Sequence, residues 1–200
     1  MKKRIVIFAS GSGTNTQNVI QYFQQQPIAE VVLVLTNKKD AQVIARAESL
    51  NTKAVYFSKP ELLDPNGVLQ VLKDAQPDLI VLAGFLLKFP DHILKAFPNK
   101  VINIHPALLP KYGGKGMYGK HVHKAVRDNK ESETGITIHY VNEEYDEGAI
   151  IFQKAVPLSE EETVESIAQK VHKLEYEYLP KTIEQLLNDQ TNDSKLPKHD

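Results

Sequence analysis

Val101-Ile102-Asn103-Ile104-His105-Pro106-Ala107-Leu108-Leu109-Pro110 sets the architecture of this chain. An apolar, β-branched run carries an amide at Asn103 and an imidazole at His105, then breaks into a proline-bounded loop. Residues two apart on a strand point to the same side, so Asn103 and His105 project together. Pro106 lacks an N–H and biases the residue before it away from the helical region, so the strand ends at His105. Taken singly, Asn103 reads better as a residue that caps a turn and His105 as a satisfied core histidine. As a pair at the end of a buried strand they mark the place where an open α/β sheet carries its ligand.

Working back from this stretch, Leu79–Ala83 and Ile5–Ala9 are continuously apolar, as strands buried on both faces are. Val31–Leu35 and Ala54–Phe57 read as two more strands. Between them run helical patterns: Asn15–Phe23, a helix through Ala45–Leu50 capped by Asp40, Val68–Leu72, and a short turn at His92–Phe97. Ser58-Lys59-Pro60 reads as a polar connection. Strands alternating with helices argue a doubly wound, mostly parallel sheet with helices on both faces.

Beyond Pro110 the pattern changes. Lys111–Gly119 is glycine-rich and basic, and a helix resumes at His121-Val122-His123. Two histidines two apart do not share a helix face, so they make no metal pair, and one of them is expected to face the site. Thr134–Val141 alternates, with Thr137 and His139 on one side and Ile136 and Ile138 on the other. It is followed by an acidic loop, Asn142–Gly148, and a partner strand from Ala149. These form an antiparallel pair. A long helix is expected over Thr163–Leu187, with Thr163 as its cap and Pro180 as a kink.

The loop Ser10-Gly11-Ser12-Gly13-Thr14-Asn15 joins the first strand to the first helix. Free N–H groups and the helix dipole favour a phosphate there. The loop lacks the lysine of a Walker motif, and Thr16 stands where a dinucleotide fingerprint has its third glycine. A ligand-free tight turn is the competing reading.

The totals exclude several classes. The chain has 200 residues and a net charge of −1, so no global field favours a nucleic acid. It has no cysteine, which removes disulfides, thiolate catalysis and cysteine-ligated zinc. No apolar run is long enough to span a bilayer. Met1-Lys2-Lys3-Arg4 precedes an apolar run too short for a signal peptide, so a cytoplasmic setting is expected.

Four motifs together, Gly11–Asn15, Leu82-Ala83-Gly84-Phe85, Asn103–Tyr112 and Tyr145-Asp146-Glu147-Gly148, make the chain resemble the folate-dependent phosphoribosylglycinamide formyltransferases. The resemblance runs from about Arg4 to Leu187. It implies a single formyltransferase domain over 1–188 with a polar tail at 189–200. It also implies formyl transfer from 10-formyltetrahydrofolate to the primary amine of glycinamide ribonucleotide, in purine synthesis and without a metal. The implied catalytic residues are Asn103, His105 and Asp146, with Asp146 orienting the imidazole and favouring its charged form. Gly13, Thr14 and Asn15 would hold the substrate phosphate, and His172-Lys173-Leu174-Glu175 would supply further substrate contacts. Leu86, Leu87, Lys88, Phe89 and Asn103, with the loop Asn142-Glu143-Glu144-Tyr145-Asp146, would hold the folate. The implied partners are these small molecules, with the protein a monomer or homodimer.

The chain departs from the family pattern at Ala149, where a proline usually follows the glycine. It also departs in the longer Gly113–Lys120 segment, and in lacking an arginine near Lys59-Pro60-Glu61. A formyltetrahydrofolate deformylase-like hydrolase and a non-catalytic nucleotide-phosphate-binding module are the alternatives. A tRNA formyltransferase would need a second, more basic domain.

Overall fold

The computed structural model describes residues 1–193. In chain order the elements are β1 (Lys3–Phe8), α1 (Thr14–Gln25), β2 (Ala29–Thr36), α2 (Gln42–Ser49), β3 (Ala54–Tyr56), α3 (Lys59–Leu63) and α4 (Val68–Ala75). They continue with β4 (Leu79–Leu82), α5 (Asp91–Ala96), β5 (Val101–His105), α6 (Lys120–Asp128), β6 (Glu133–Tyr140), β7 (Ile150–Pro157) and α7 (Val164–Asp193). The strands form one seven-stranded sheet in the order β3-β2-β1-β4-β5-β6-β7. β1 to β5 pair in parallel, whereas β6 is antiparallel to both β5 and β7.

The continuous apolar runs follow from burial on both faces. On β1, Ile5 and Ile7 pack with Val19, Phe23, Val122 and Val171, beneath α1, α6 and α7. Val6 and Phe8 face the other way, against Leu62, Leu72 and Ile93 of α3, α4 and α5. Phe8 sits at the centre of an edge-to-face aromatic cluster, 5.8 Å from Phe57, 5.3 Å from Phe85 and 5.1 Å from Phe89. Each such pair contributes about 0.5–1.5 kcal/mol beyond its buried area. The cluster pins both ends of the loop that follows β4.

Three local expectations change. Asp40 caps no helix: α2 starts at Gln42 with Ala41 at its N-cap, so Asp40 lies one residue outside. Ser58-Lys59-Pro60 opens the short helix α3, whose capping box joins Ser58 and Glu61. Proline at the first turn suits it, since the N–H missing there has no helical partner anyway. α7 runs past Leu187 to Asp193 with Pro180 inside it, and the Ser166 N–H donates to Thr163 Oγ1 at 3.1 Å, as a cap should. The rest of the expected tail, 194–200, lies outside the described residues.

Candidate active site

At the C-terminal ends of the parallel strands a cavity of about 750 Å³ opens beside the point where strand order reverses from β1 to β4. Its walls come from the loop after β1, the loop after β4, the end of β5, the loop from Gly114 into α6, His139 of β6, the loop before β7, and one face of α7.

The loop after β1 forms the first end. Gly13 is the N-cap of α1 at φ 76°, and no side chain caps the helix, so its first N–H groups stay free for an anion. A Cβ at Gly13 would lie 2.8 Å from the Val43 Cα, so the turn needs glycine for space as well as for φ. Asn15 reaches across to α7, where its Nδ2 donates to Glu175 Oε2 at 3.0 Å. His172 Nδ1 meets the same oxygen at 2.8 Å, and this bond holds the His172 ring above the ordinary histidine range. Ser10 ties this end to the next wall: its Oγ accepts from the Leu86 N–H at 3.0 Å and donates to Asn37 at 2.6 Å.

The loop after β4 lines the second end with Leu86, Leu87, Lys88 and Phe89. Leu86 is 43% exposed, whereas Phe89 is 3% exposed and packed under Phe8, so Phe89 supports the wall rather than forming its surface.

Between the two ends Asn103, His105 and Asp146 meet. Asp146 Oδ2 accepts from the Gly114 N–H at 2.9 Å and lies 3.6 Å from His105 Nδ1. Its Oδ1 lies 3.3 Å from Asn103 Nδ2 and 3.6 Å from His139 Nε2. Burial pulls the Asp146 carboxyl upward, but the charge that the neighbouring His139 and His105 rings carry when protonated, together with the Gly114 N–H, outweighs it and leaves it below the usual carboxylate range. It is an anion. Gly148 makes this loop geometry feasible, because a Cβ there would lie 1.7 Å from the Tyr140 carbonyl oxygen.

His105 is 3% exposed. Its Nε2 donates to the Tyr112 carbonyl at 2.7 Å, which leaves Nδ1 as the basic nitrogen facing Asp146. Burial pushes its pKa down, and Asp146 only partly opposes this. The free site therefore holds a neutral imidazole, not the charged form expected from the carboxylate alone.

His139 belongs to the same cluster and was not among the expected site residues. It is the β6 register partner of Asn103. Its Nδ1 donates to the Tyr140 carbonyl at 2.8 Å, so Nε2 accepts from Asn103 Nδ2 at 3.1 Å. Both amide hydrogens of Asn103 are thus engaged in the free site. Alternation had placed His139 on one face of its strand, but register, which puts it against Asn103, is not readable from a single sequence.

Several expected residues lie off the cavity. α7 turns Ala168, His172 and Glu175 inward, while Lys173 sits on the outer surface and Leu174 packs on the core. A contiguous block of four could not all face one side of a helix. Asn142, Glu144 and Tyr145 line the cavity, but Glu143 points outward, 3.9 Å from Lys95. Of the two α6 histidines, His123 lines the cavity, and His121 instead meets the Tyr118 ring.

The formyl transferase family model matches residues 3–183. The chain belongs to the formyl transferase family. Formyl transferases similar to it include the phosphoribosylglycinamide formyltransferase of Bacillus subtilis, 35% identical over 92% of this chain and 95% of that one. The chloroplastic phosphoribosylglycinamide formyltransferase of Arabidopsis thaliana is 39% identical over 86% of this chain. This chain spans 63% of that relative and 61% of its counterpart in Vigna unguiculata. Among solved structures, the phosphoribosylglycinamide formyltransferase of Bacillus halodurans aligns with a TM-score of 0.83 at 36% identity, over 92% of this chain and 95% of that one. The glycinamide ribonucleotide transformylase 1 of Geobacillus kaustophilus aligns with a TM-score of 0.84 at 35% identity, over 94% and 100%. No helix among the described residues is long and apolar enough to cross a membrane.

Proposed function

We propose that this formyl transferase moves the formyl group of 10-formyltetrahydrofolate directly onto the primary amine of glycinamide ribonucleotide, giving the formylated ribonucleotide of purine biosynthesis. The observation that carries this reading is one cavity holding an uncapped helix N-terminus at one end, an apolar loop at the other and an amide–imidazole–carboxylate cluster between them. The names of its relatives point the same way.

In this reading the phosphate sits on Gly13, Thr14 and Asn15, and the folate ring lies against Leu86, Leu87 and Lys88. The amine nitrogen attacks the formyl carbon, and the carbonyl oxygen becomes an oxyanion. His105 Nδ1 takes the proton that the attacking nitrogen releases. The imidazolium then lies beside the Asp146 anion, and the tighter pairing draws Asp146 away from its 3.3 Å bond to Asn103. That frees an Asn103 N–H for the oxyanion, where such a donor is worth about 10²–10³ in rate. As the tetrahedral centre collapses, the bond to the folate nitrogen breaks, and His105 returns the proton to that nitrogen. No covalent enzyme intermediate and no metal takes part.

The test is incubation with formyl folate, with and without glycinamide ribonucleotide. Formyl transfer that depends on the amine supports this reading. Formate release without the amine marks a deformylase-like hydrolase, and absence of turnover with phosphate binding intact marks a binding module.

A further inference from the structure

His105 stands between two groups that favour opposite tautomers. The Asp146 anion, 3.6 Å from Nδ1, favours a ring proton on Nδ1. The Tyr112 carbonyl, 2.7 Å from Nε2, favours it on Nε2. A neutral imidazole carries one ring proton, so the closer partner decides where it sits. The chemistry proposed above needs Nδ1 unprotonated. It therefore depends on how firmly the Tyr112 carbonyl is held.

That carbonyl belongs to a strained residue. Tyr112 has φ 59°, a left-handed conformation that a residue with a side chain keeps only under constraint. Two residues on, the Gly114 N–H donates to Asp146 Oδ2 at 2.9 Å. The segment 112–114 thus grips both His105 and Asp146. Its outer anchor is Glu131, in the turn between α6 and β6. The Tyr112 hydroxyl donates to Glu131 Oε1 at 2.8 Å, and Lys111 Nζ donates to both carboxylate oxygens at 3.1 Å. These bonds hold the Glu131 carboxyl below its usual range, so the phenol donates to an anion, the stronger kind of hydrogen bond. The Glu131 N–H is tied in turn to the Val126 carbonyl of α6 at 3.2 Å. Neither Tyr112 nor Glu131 lines the cavity.

We infer that Glu131 is a positioning residue for the reaction: it holds the Tyr112 phenol so that the Tyr112 carbonyl keeps the His105 ring proton on Nε2 and leaves Nδ1 free as the base. This rests on the function proposed above, in which Nδ1 takes the proton of the attacking amine. With the anchor cut, Tyr112 relaxes out of the left-handed region and its carbonyl withdraws. The ring then loses its Nε2 proton and gains one on Nδ1, against Asp146, where it blocks the base. The rate scales with the fraction of rings still protonated on Nε2.

The experiment compares the full-length wild type with Tyr112→Phe, Glu131→Ala, Glu131→Gln and the double variant Tyr112→Phe/Glu131→Ala. It measures Tm, kcat, the KM values for glycinamide ribonucleotide and formyl folate, and the His105 tautomer by ¹⁵N NMR of the free protein. The spectra are taken at about pH 8, where the ring is neutral, and the signal is assigned by its loss in His105→Asn. In Tyr112→Phe and Glu131→Ala kcat should fall about 3- to 10-fold, the size of one hydrogen bond, with both KM values unchanged. In step with this, about two thirds to nine tenths of the rings should carry the proton on Nδ1. The double variant should fall no further than the slower single one, because both changes cut the same bond. Glu131→Gln, which keeps an acceptor for the phenol, should recover most of the rate and of the Nε2–H form. An unchanged tautomer in Tyr112→Phe and Glu131→Ala overturns the inference, whatever happens to kcat or Tm. A shifted tautomer with unchanged kcat overturns the role in the reaction. Wild-type protein that fails to formylate the ribonucleotide refutes the proposed function, while the NMR arm still decides whether Glu131 sets the His105 tautomer.

Discussion

Asn103 and His139 face each other across the β5–β6 ladder, with Asn103 Nδ2 donating to His139 Nε2 at 3.1 Å. The donor is oriented because the other ring nitrogen is held by the Tyr140 carbonyl. His139 is therefore a positioning residue for the Asn103 amide. His139→Leu should lower kcat about tenfold with little change in either KM, the effect of one lost hydrogen bond to a group used in the transition state. Steady-state kinetics check this, and His139→Gln, which retains an acceptor, should recover part of the rate.

Asn15 joins the phosphate loop to Glu175 through a buried bond at 3.0 Å. Asn15→Ala should raise the KM for glycinamide ribonucleotide about tenfold and leave the KM for formyl folate unchanged. Equal effects on both substrates, measured by varying each at saturation of the other, would count against the phosphate assignment.

Gly13→Ala meets two obstacles at once: a φ of 76° and the Val43 backbone 2.8 Å from the new Cβ. It should destabilise the protein by about 2–4 kcal/mol in denaturant unfolding, a strained φ adding to a steric clash. Gly11→Ala, with open space around its Cβ and no φ constraint, is the control and should change stability by less than about 1 kcal/mol.

Much of the fold was readable from residues, and the misses have physical causes. Runs such as Ile5–Ala9 and Leu79–Ala83 are apolar throughout because both sheet faces are covered, and together with the helices that alternate with them this implies parallel strands. The Asn103–His105 pair followed from two-residue periodicity. What needed coordinates was anything that depends on register or on helix rotation. His139 pairs with Asn103 only because β6 slides to that register. Lys173 and Leu174 leave the cavity because α7 presents residues three and four apart. The capping box of Ser58 and Glu61 was present in the sequence, but five helical residues give too short a periodic signal to mark a helix.

Burial lowers the pKa of His105, so its pH linkage has a definite sign. The unfolded chain binds this proton near the ordinary value of 6.5, and the folded chain binds it only at lower pH. Stability should therefore fall as pH drops below 6.5, by up to about 1.4 kcal/mol per pH unit for one such proton. His172, whose pKa is raised, works in the opposite sense: its contribution is present below 6.5 and lost above it. Chemical denaturation between pH 7 and pH 5 checks this, and His105→Asn should flatten the acid-side slope.

The account depends most on the Asp146 carboxylate standing beside His105 Nδ1 and Asn103 Nδ2. The direct measurement is kcat for Asp146→Asn, in a variant whose circular dichroism and Tm match the wild type. The account predicts a fall of about 10²–10⁴, since the imidazolium loses its counter-charge while the shape of the site is kept. Turnover within a few-fold of the wild type would contradict it.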